Sequence, residues 1–224
     1  MPVIAVVSSK GGVGKTTSTI VLAGQFARLT KVKICDADPN QPAAAWAALG
    51  NVPDNLQVIP GVTEENIIEV IEQAEKDAPF VFVDCAGYAS TAVAYAIASA
   101  HLVIIPMQGS QLDAREAGRA LGLVKKSEKM GRRKIPVRLL ITRTNPMIRT
   151  RNLDNLQKQF RDADVGMFET HLNEREAYKS LFSIGGTLED LTPDDVGGLA
   201  KAIDNARRLT VEVADVLRAE GASA

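Results

Sequence analysis

Six short aliphatic runs constrain this 224-residue chain more than any other feature: VIAVVSS (3–9), VKICDAD (32–38), LQVIP (56–60), FVFVDCAG (80–87), HLVIIPM (101–107) and VRLLITR (137–143). They are nearly continuous in apolar residues, as strands of a parallel sheet covered by helices on both faces are. The segments between them carry helical spacing. Ile20, Ala23 and Ala27 follow the first run, and Ile67, Val70, Ile71 and Ala74 lie within ENIIEVIEQAEKD (65–77). Alternating strand and helix predict an α/β fold with a mostly parallel central sheet flanked by helices on both faces. From about residue 148 the pattern turns helical, interrupted by VGMFET (165–170) and by the loop SIGGTLEDLTPDD (183–195). Thr192 with Asp195 reads as a helix start. The helix expected from there to about Arg218 aligns Leu199, Ile203, Ala206, Leu209, Val213 and Val216 on one stripe that docks on the sheet. Length and apolar content suit a single domain over residues 1–224, with residues 219–224 expected as a disordered tail.

The stretch KGGVGKTT (10–17) follows the first strand and opens the first helix, the context that gives a phosphate-loop match its weight. Gly11, Gly12 and Gly14 allow backbone N–H groups, that of Val13 among them, to turn inward around an anion, and the helix N-terminus adds its dipole. Lys15 supplies a point charge to the outer phosphates. The hydroxyl of Thr16, followed by Thr17, suits a magnesium ion. The common spacing would place its first glycine where this chain has Ser9, and Lys10 comes next. One lysine suffices to hold a phosphate, so Lys10 needs a separate reason.

That departure resembles the deviant Walker A motif of the ParA/MinD family of ATPases. The resemblance implies a P-loop NTPase that binds ATP and Mg2+. It also implies that Lys10 reaches across an ATP-dependent homodimer to the nucleotide of the partner subunit, stabilising charge on the departing phosphoryl group as an arginine finger does. KICDADPNQP (33–42) looks like the family's second motif, in which Asp36 helps hold the magnesium shell and Asp38 orients the attacking water; two turn-forming aspartates before Pro39 are the plainer reading. FVFVDCAG looks like a Walker B strand, with Asp84 contacting the metal through water and Gly87 facing the γ-phosphate. LVIIPMQGSQLDAREA (102–117) looks like the strand and loop that follow it. RLLITRTNP (138–146) is similar to the segment near the adenine, where Asn145 would read the base and Pro146 shape its pocket; an ordinary Asn-Pro turn explains the same residues. The likeness covers most of residues 1–146.

The family uses one engine for several tasks, so the task is read from what surrounds it. The chain has 26 lysines and arginines against 27 acidic residues, a net charge of −1, so nucleic acid can be held only by a local patch. Candidates are GRRK (131–134), then Arg143, Arg149, Arg151, Lys158 and Arg161, and later Lys201, Arg207, Arg208 and Arg218. The C-terminus LRAEGASA lacks the basic amphipathic helix of membrane-bound relatives. No signal peptide precedes the first strand, and no apolar run spans a bilayer. Cys35 and Cys85 lack metal-ligand spacing and sit inside strands, which disfavours a cluster or zinc site and suits a reduced, cytoplasmic setting. No tyrosine follows Tyr178, unlike the tyrosine-kinase relatives. His101 and His171 form no catalytic set, and Trp46 is expected to pack a helix face. The resemblance is strongest to small plasmid-partition ParA proteins and to accessory ATPases of conjugative transfer. It implies DNA partitioning or segregation: non-specific DNA binding by the ATP-bound dimer, nucleoid association in that state, and a ParB-like centromere-binding adaptor or relaxase-type partner. The alternative is an ATP-switched positioning protein for a protein array, a cell pole or a conjugative relaxase complex. A biotin-pathway type of ligase would leave Lys10 without a role.

Overall fold

A computed structural model describes residues 1–87, 90–145 and 151–221. Six strands form where the aliphatic runs predict them: β1 (Val3–Val6), β2 (Val32–Ala37), β3 (Leu56–Ile59), β4 (Phe80–Cys85), β5 (Leu102–Met107) and β6 (Val137–Thr144). A seventh, β7 (Leu172–Asn173), is too short to leave a periodic signal in the sequence. The sheet order is β3-β2-β4-β1-β5-β6-β7, and every pairing is parallel.

The central strands β1, β2, β4 and β5 are buried on both sides because successive side chains enter two different cores, whereas edge strand β3 keeps Gln57 exposed. In β1, Ile4 and Val6 join one apolar cluster, while Val3 and Ala5, with Val7 just past the strand, join the other. The first cluster is covered by α1 (Lys15–Ala27), α2 (Pro42–Ala48), α7 (Glu176–Ile184) and α8 (Leu199–Ala219). The second lies under α3 (Ile67–Asp77), α4 (Thr91–Ser99), α5 (Gln111–Gly131) and α6 (Arg151–Asp162). Cys35 and Cys85 are core residues, and Trp46 is buried with its indole N–H donating to the Gly186 carbonyl at 3.0 Å.

Two details of the C-terminal region depart from the sequence reading. Thr192 does meet Asp195, whose Oδ2 accepts from the Thr192 N–H at 2.7 Å and from its hydroxyl at 2.8 Å. This closes only a turn. Gly197 and Gly198 intervene, Gly198 takes φ 74°, and α8 starts at Leu199. On α8 the fully docked position near the end is Leu217, with Val216 only partly buried, since the stripe drifts when 3.6 residues make a turn. The last described residue is Gly221, so Ala222, Ser223 and Ala224 of the expected tail lie outside the described residues.

Strand order decides where a site can form. The loop after β1 emerges between the loops that follow β4 and β5, at the carboxyl edge of the sheet where connections diverge to opposite sides.

Candidate functional site

At that edge the loop from Lys10 to Gly14 leads directly into α1. Gly12 and Gly14 take φ 74° and 94°, a region open to glycine and strained for other residues. Gly14 caps α1, whose first hydrogen bond runs from the Ser18 N–H to the Gly14 carbonyl at 2.8 Å. Thr142 of β6 supports the loop from beneath: its hydroxyl donates to the Val13 carbonyl at 2.7 Å and lies 3.2 Å from that of Met107.

The loop borders a cleft of about 460 Å3 that brings together Gly11, Gly12, Gly14, Lys15, Thr16, Thr17, Asp38 and Gly87, joined by Asn40, Pro42 and Arg143. Lys15 is buried, its ammonium 3.5 Å from the Lys10 carbonyl oxygen. Gly87 approaches so closely that a Cβ there would lie 3.1 Å from both the Gly11 nitrogen and the Lys15 ammonium. Asp36 and Asp84 occupy paired positions on β2 and β4 and are fully buried. Their environments differ. Asp36 accepts the Ala44 N–H at 2.9 Å and the Asp38 N–H at 3.3 Å, which ties its carboxylate to the start of α2. Asp84 Oδ1 receives a long contact from the Thr19 hydroxyl, at 3.5 Å, and its Oδ2 is buried without a hydrogen-bond partner. Burial pushes the Asp84 carboxyl up to about 7, opposed by the side chain of Thr16 and raised further by nearby Asp36. Asp38 holds Asn40 through the latter's N–H at 2.9 Å and side-chain amide at 3.0 Å.

An orphaned carboxylate oxygen beside Thr16 and Lys15 fits a divalent ion bound with phosphate. Among the described residues no group of three or more His, Cys, Asp or Glu gathers as a metal cage. A metal here would take most of its ligands from phosphate oxygens and water, as Mg2+ does.

The two loop lysines diverge. Lys10 leaves the cleft that Lys15 lines, and its ammonium sits 2.7 Å from Oδ1 of Asp113, in the first turn of α5. Asp113 is buried, and the Ser110 hydroxyl donates to its other oxygen. Burial alone would raise the Asp113 pKa, but hydrogen bonds from Lys10 and Ser110 outweigh it and hold the carboxyl below its usual range. This pair was not foreseen from sequence, although Ser110-x-x-Asp113 is a helix-capping pattern that can be read directly.

A second cleft of about 340 Å3 adjoins the first through Gly14, Thr17 and Arg143, and continues along Thr142, Asn173, Glu174, Tyr178 and Phe182. Its size and mixed lining suit a nucleoside. Asn145 stands exposed just past the end of β6, two residues beyond Arg143, while Pro146 falls outside the described residues. Arg143, counted in the sequence among cations for a polyanion, lines both clefts and takes φ 53°. The β7 contribution was invisible in sequence because two residues carry no periodicity.

Comparison with known proteins agrees with this geometry. A family profile described as VirC1 protein matches residues 1–216. Protein ParA of Rhizobium radiobacter is 37% identical over 95% of this chain and 96% of its own. Among solved structures, an ATP complex of Cyanothece McdA aligns with a TM-score of 0.76 at 16% identity, over 96% of both chains. The MinD cell division ATPase of Pyrococcus furiosus aligns with a TM-score of 0.72 at 19% identity, over 96% of this chain and 99% of that one. A phosphate loop with a second lysine, an orphaned strand carboxylate and near full-length similarity converge on one conclusion: the chain belongs to the VirC1 family, among the ParA/MinD-type P-loop ATPases.

Proposed function

We propose that this chain is an ATP-dependent DNA partitioning or segregation ATPase. It binds ATP with Mg2+, pairs as a homodimer across the nucleotide edge, holds DNA without sequence preference as that dimer, and is switched off by hydrolysis. The observation that carries the reading is the divergence of the two loop lysines. Lys15 serves its own cleft, whereas Lys10 stands at the rim, partly exposed, within reach of a surface that a second copy can cover.

The charge balance supports a metal. Asp38 lines the cleft with Lys15 and Arg143, and Asp36 and Asp84 lie buried on the adjoining strands, so a bare triphosphate adds its charge to three carboxylates that two cations offset only in part. When bound, Mg2+ neutralises that charge and polarises the phosphate oxygens. Thr16 and Asp84 are assigned to it, with Asp36 behind them, anchoring the turn into α2. Lys15 and the loop N–H groups hold the phosphates. Asp38 orients the attacking water, and Lys10 of the partner subunit faces the phosphoryl group as it leaves. Asn145 and Pro146 are assigned to the base, together with the walls of the second cleft. Loss of the terminal phosphate removes the contact between subunits, so the dimer and its hold on DNA loosen together.

The relative named Protein ParA supports partition as the task. A ParB-like adaptor or a relaxase-type complex then stimulates hydrolysis, in a cytoplasmic setting with nucleoid association in the ATP state. Among the described residues no helix is long and apolar enough to cross a membrane. A second reading, positioning of a protein array, cell pole or relaxase complex, draws on similarity to proteins named for maintenance of carboxysome distribution, 26% identical over 79% of this chain in Gloeobacter kilaueensis. Sedimentation with ATP, ADP or no nucleotide, with and without random duplex DNA, separates the two. An ATP-only dimer that binds DNA supports partition. An ATP-only dimer indifferent to DNA supports positioning, and a chain that stays single in every condition overturns both.

A further inference from the structure

The cations singled out in the sequence are not equivalent once folded. On α8, Arg207 meets Glu189 at 3.5 Å, Arg208 meets Asp204 at 2.8 Å, and Arg218 is paired with Asp215. These arginines sit beside the acids that neutralise them. The end of α5 and its following loop differ: residues 125–134 hold six lysines and arginines against one acid, Glu128. Glu128 is occupied locally, accepting the Ile135 N–H at 3.1 Å and facing Lys134 at 3.6 Å. Lys125, Lys129 and Arg132 are exposed, and among the described residues no acid lies within ion-pair distance of them.

Their arrangement is ordered by the helix. Lys125 and Lys129 are one turn apart on α5, and Arg132, the left-handed residue that caps the helix, lines the same concave surface, so the three cations extend over roughly 10 Å. Duplex phosphates of each strand recur about every 3.4 Å of helix axis, so such a stretch laid along the axis spans about three of them. The surface is concave, about 430 Å3, and its wall is pinned: the Arg133 guanidinium donates to the Ala100 carbonyl at 2.8 Å and also to that of Ala98, fixing the loop against the end of α4. The corner lies toward the opposite end of α5 from Asp113 and Lys10, with Lys125 about 18 Å and Arg132 about 28 Å along the helix axis from Asp113. A second copy covering the nucleotide edge leaves it open.

We propose that this cationic corner, formed by Lys125, Lys129 and Arg132 with the pinned Arg133, is the surface that binds nucleic-acid backbone. The inference rests on the DNA-binding reading above and assigns that activity to a place. Pairing of two chains presents two such corners on one particle, and this supplies the dependence on ATP through avidity. An anionic membrane is the weaker occupant. Only Met130 is an exposed large apolar residue here, whereas Ala117, Ala120 and Val124 face the core, so no apolar helix face is left to enter lipid.

The test is fluorescence anisotropy of a labelled random duplex with the full chain, ATP and Mg2+ across a salt series. The triple variant Lys125→Glu/Lys129→Glu/Arg132→Glu is compared with Lys201→Glu/Arg207→Glu/Arg208→Glu on α8. DNA-free ATPase activity and thermal unfolding verify that each variant is folded, and Lys→Gln/Arg→Gln versions replace any that is not. Loss of at least 10-fold in affinity by the α5 variant alone, with a salt slope shallower by about three, supports the assignment. Wild-type affinity in the α5 variant overturns the assignment while leaving DNA binding intact. Absence of DNA binding by the wild type under every nucleotide overturns the reading beneath it. Binding to phosphatidylserine vesicles in place of DNA, lost with the α5 charges, overturns it in favour of a lipid surface.

Discussion

The two ends of α5 place charge under opposite conditions. At its first turn Asp113 is 3% exposed and Lys10 is held on it at 2.7 Å, next to a cleft with two more buried aspartates. At its last turn the lysines and arginines stand in water. Buried charges act over a few ångströms with little screening, and each is costly unless partnered. Exposed charges are individually weak, screened by salt, and effective only in number. The first arrangement suits discrimination of one phosphate from another. The second suits a grip on any polyanion.

This contrast predicts steep losses at one end and shallow ones elsewhere. The largest expected effect is Lys10→Ala, which should lower hydrolysis by about 10³-fold or more, the scale of a lost arginine finger, while nucleotide binding by the single chain stays near wild type. Steady-state ATPase assays and nucleotide titration read the two quantities separately, and unchanged hydrolysis removes the trans-lysine assignment. Lys15→Ala should weaken ATP itself by roughly 10- to 100-fold, the worth of a charge-assisted contact, as measured by calorimetry. Gly87→Ala forces a methyl against the Gly11 nitrogen and the Lys15 ammonium. It should cost about 10-fold in affinity with the fold retained, and wild-type affinity would show that the close approach plays no part in binding.

A smaller effect concerns pH. The Asp84 carboxyl titrates near 7 when folded, well above its ordinary 3.8, so the ligand-free native state keeps a proton that the unfolded chain gives up. The stability this contributes is complete below the unfolded value and is lost as pH rises through about 7, by at most about 1.4 kcal/mol per pH unit. Thermal unfolding without nucleotide should therefore show a fall across this range that flattens in Asp84→Asn. Mg2+ favours the ionised carboxylate, so its affinity with nucleotide should rise between about pH 6 and 8. The smallest effect belongs to the exposed α8 pair: Arg208→Ala should change stability by less than about 0.5 kcal/mol in a denaturant titration.

Much of the site was legible because its residues are contiguous. Gly12 and Gly14 announce backbone that other residues avoid, Lys15 and Thr16 follow in register, and Asp84 ends a run too apolar to carry a carboxylate without purpose. The unforeseen parts lie far apart in sequence. Asp113 is 103 residues from Lys10, and Thr142 is 129 from the Val13 carbonyl it supports. Nothing local marks such pairs, since they arise when β5 and β6 are laid beside β1 in that order. The displaced start of α8 has a local cause: a Gly-Gly step overrode a well-formed capping turn at Thr192.

By itself the sequence determined the alternation of strand and helix, the burial of the sheet on both faces and the chemistry of the phosphate loop. These follow from side-chain period and backbone freedom, which are properties of neighbouring residues. Only the tertiary structure decided which cations are neutralised and which stand free, where the second cleft opens and which carboxylate Lys10 rests on. Those outcomes depend on distances between elements, and a Coulomb interaction is set by separation and surroundings whatever the spacing along the chain.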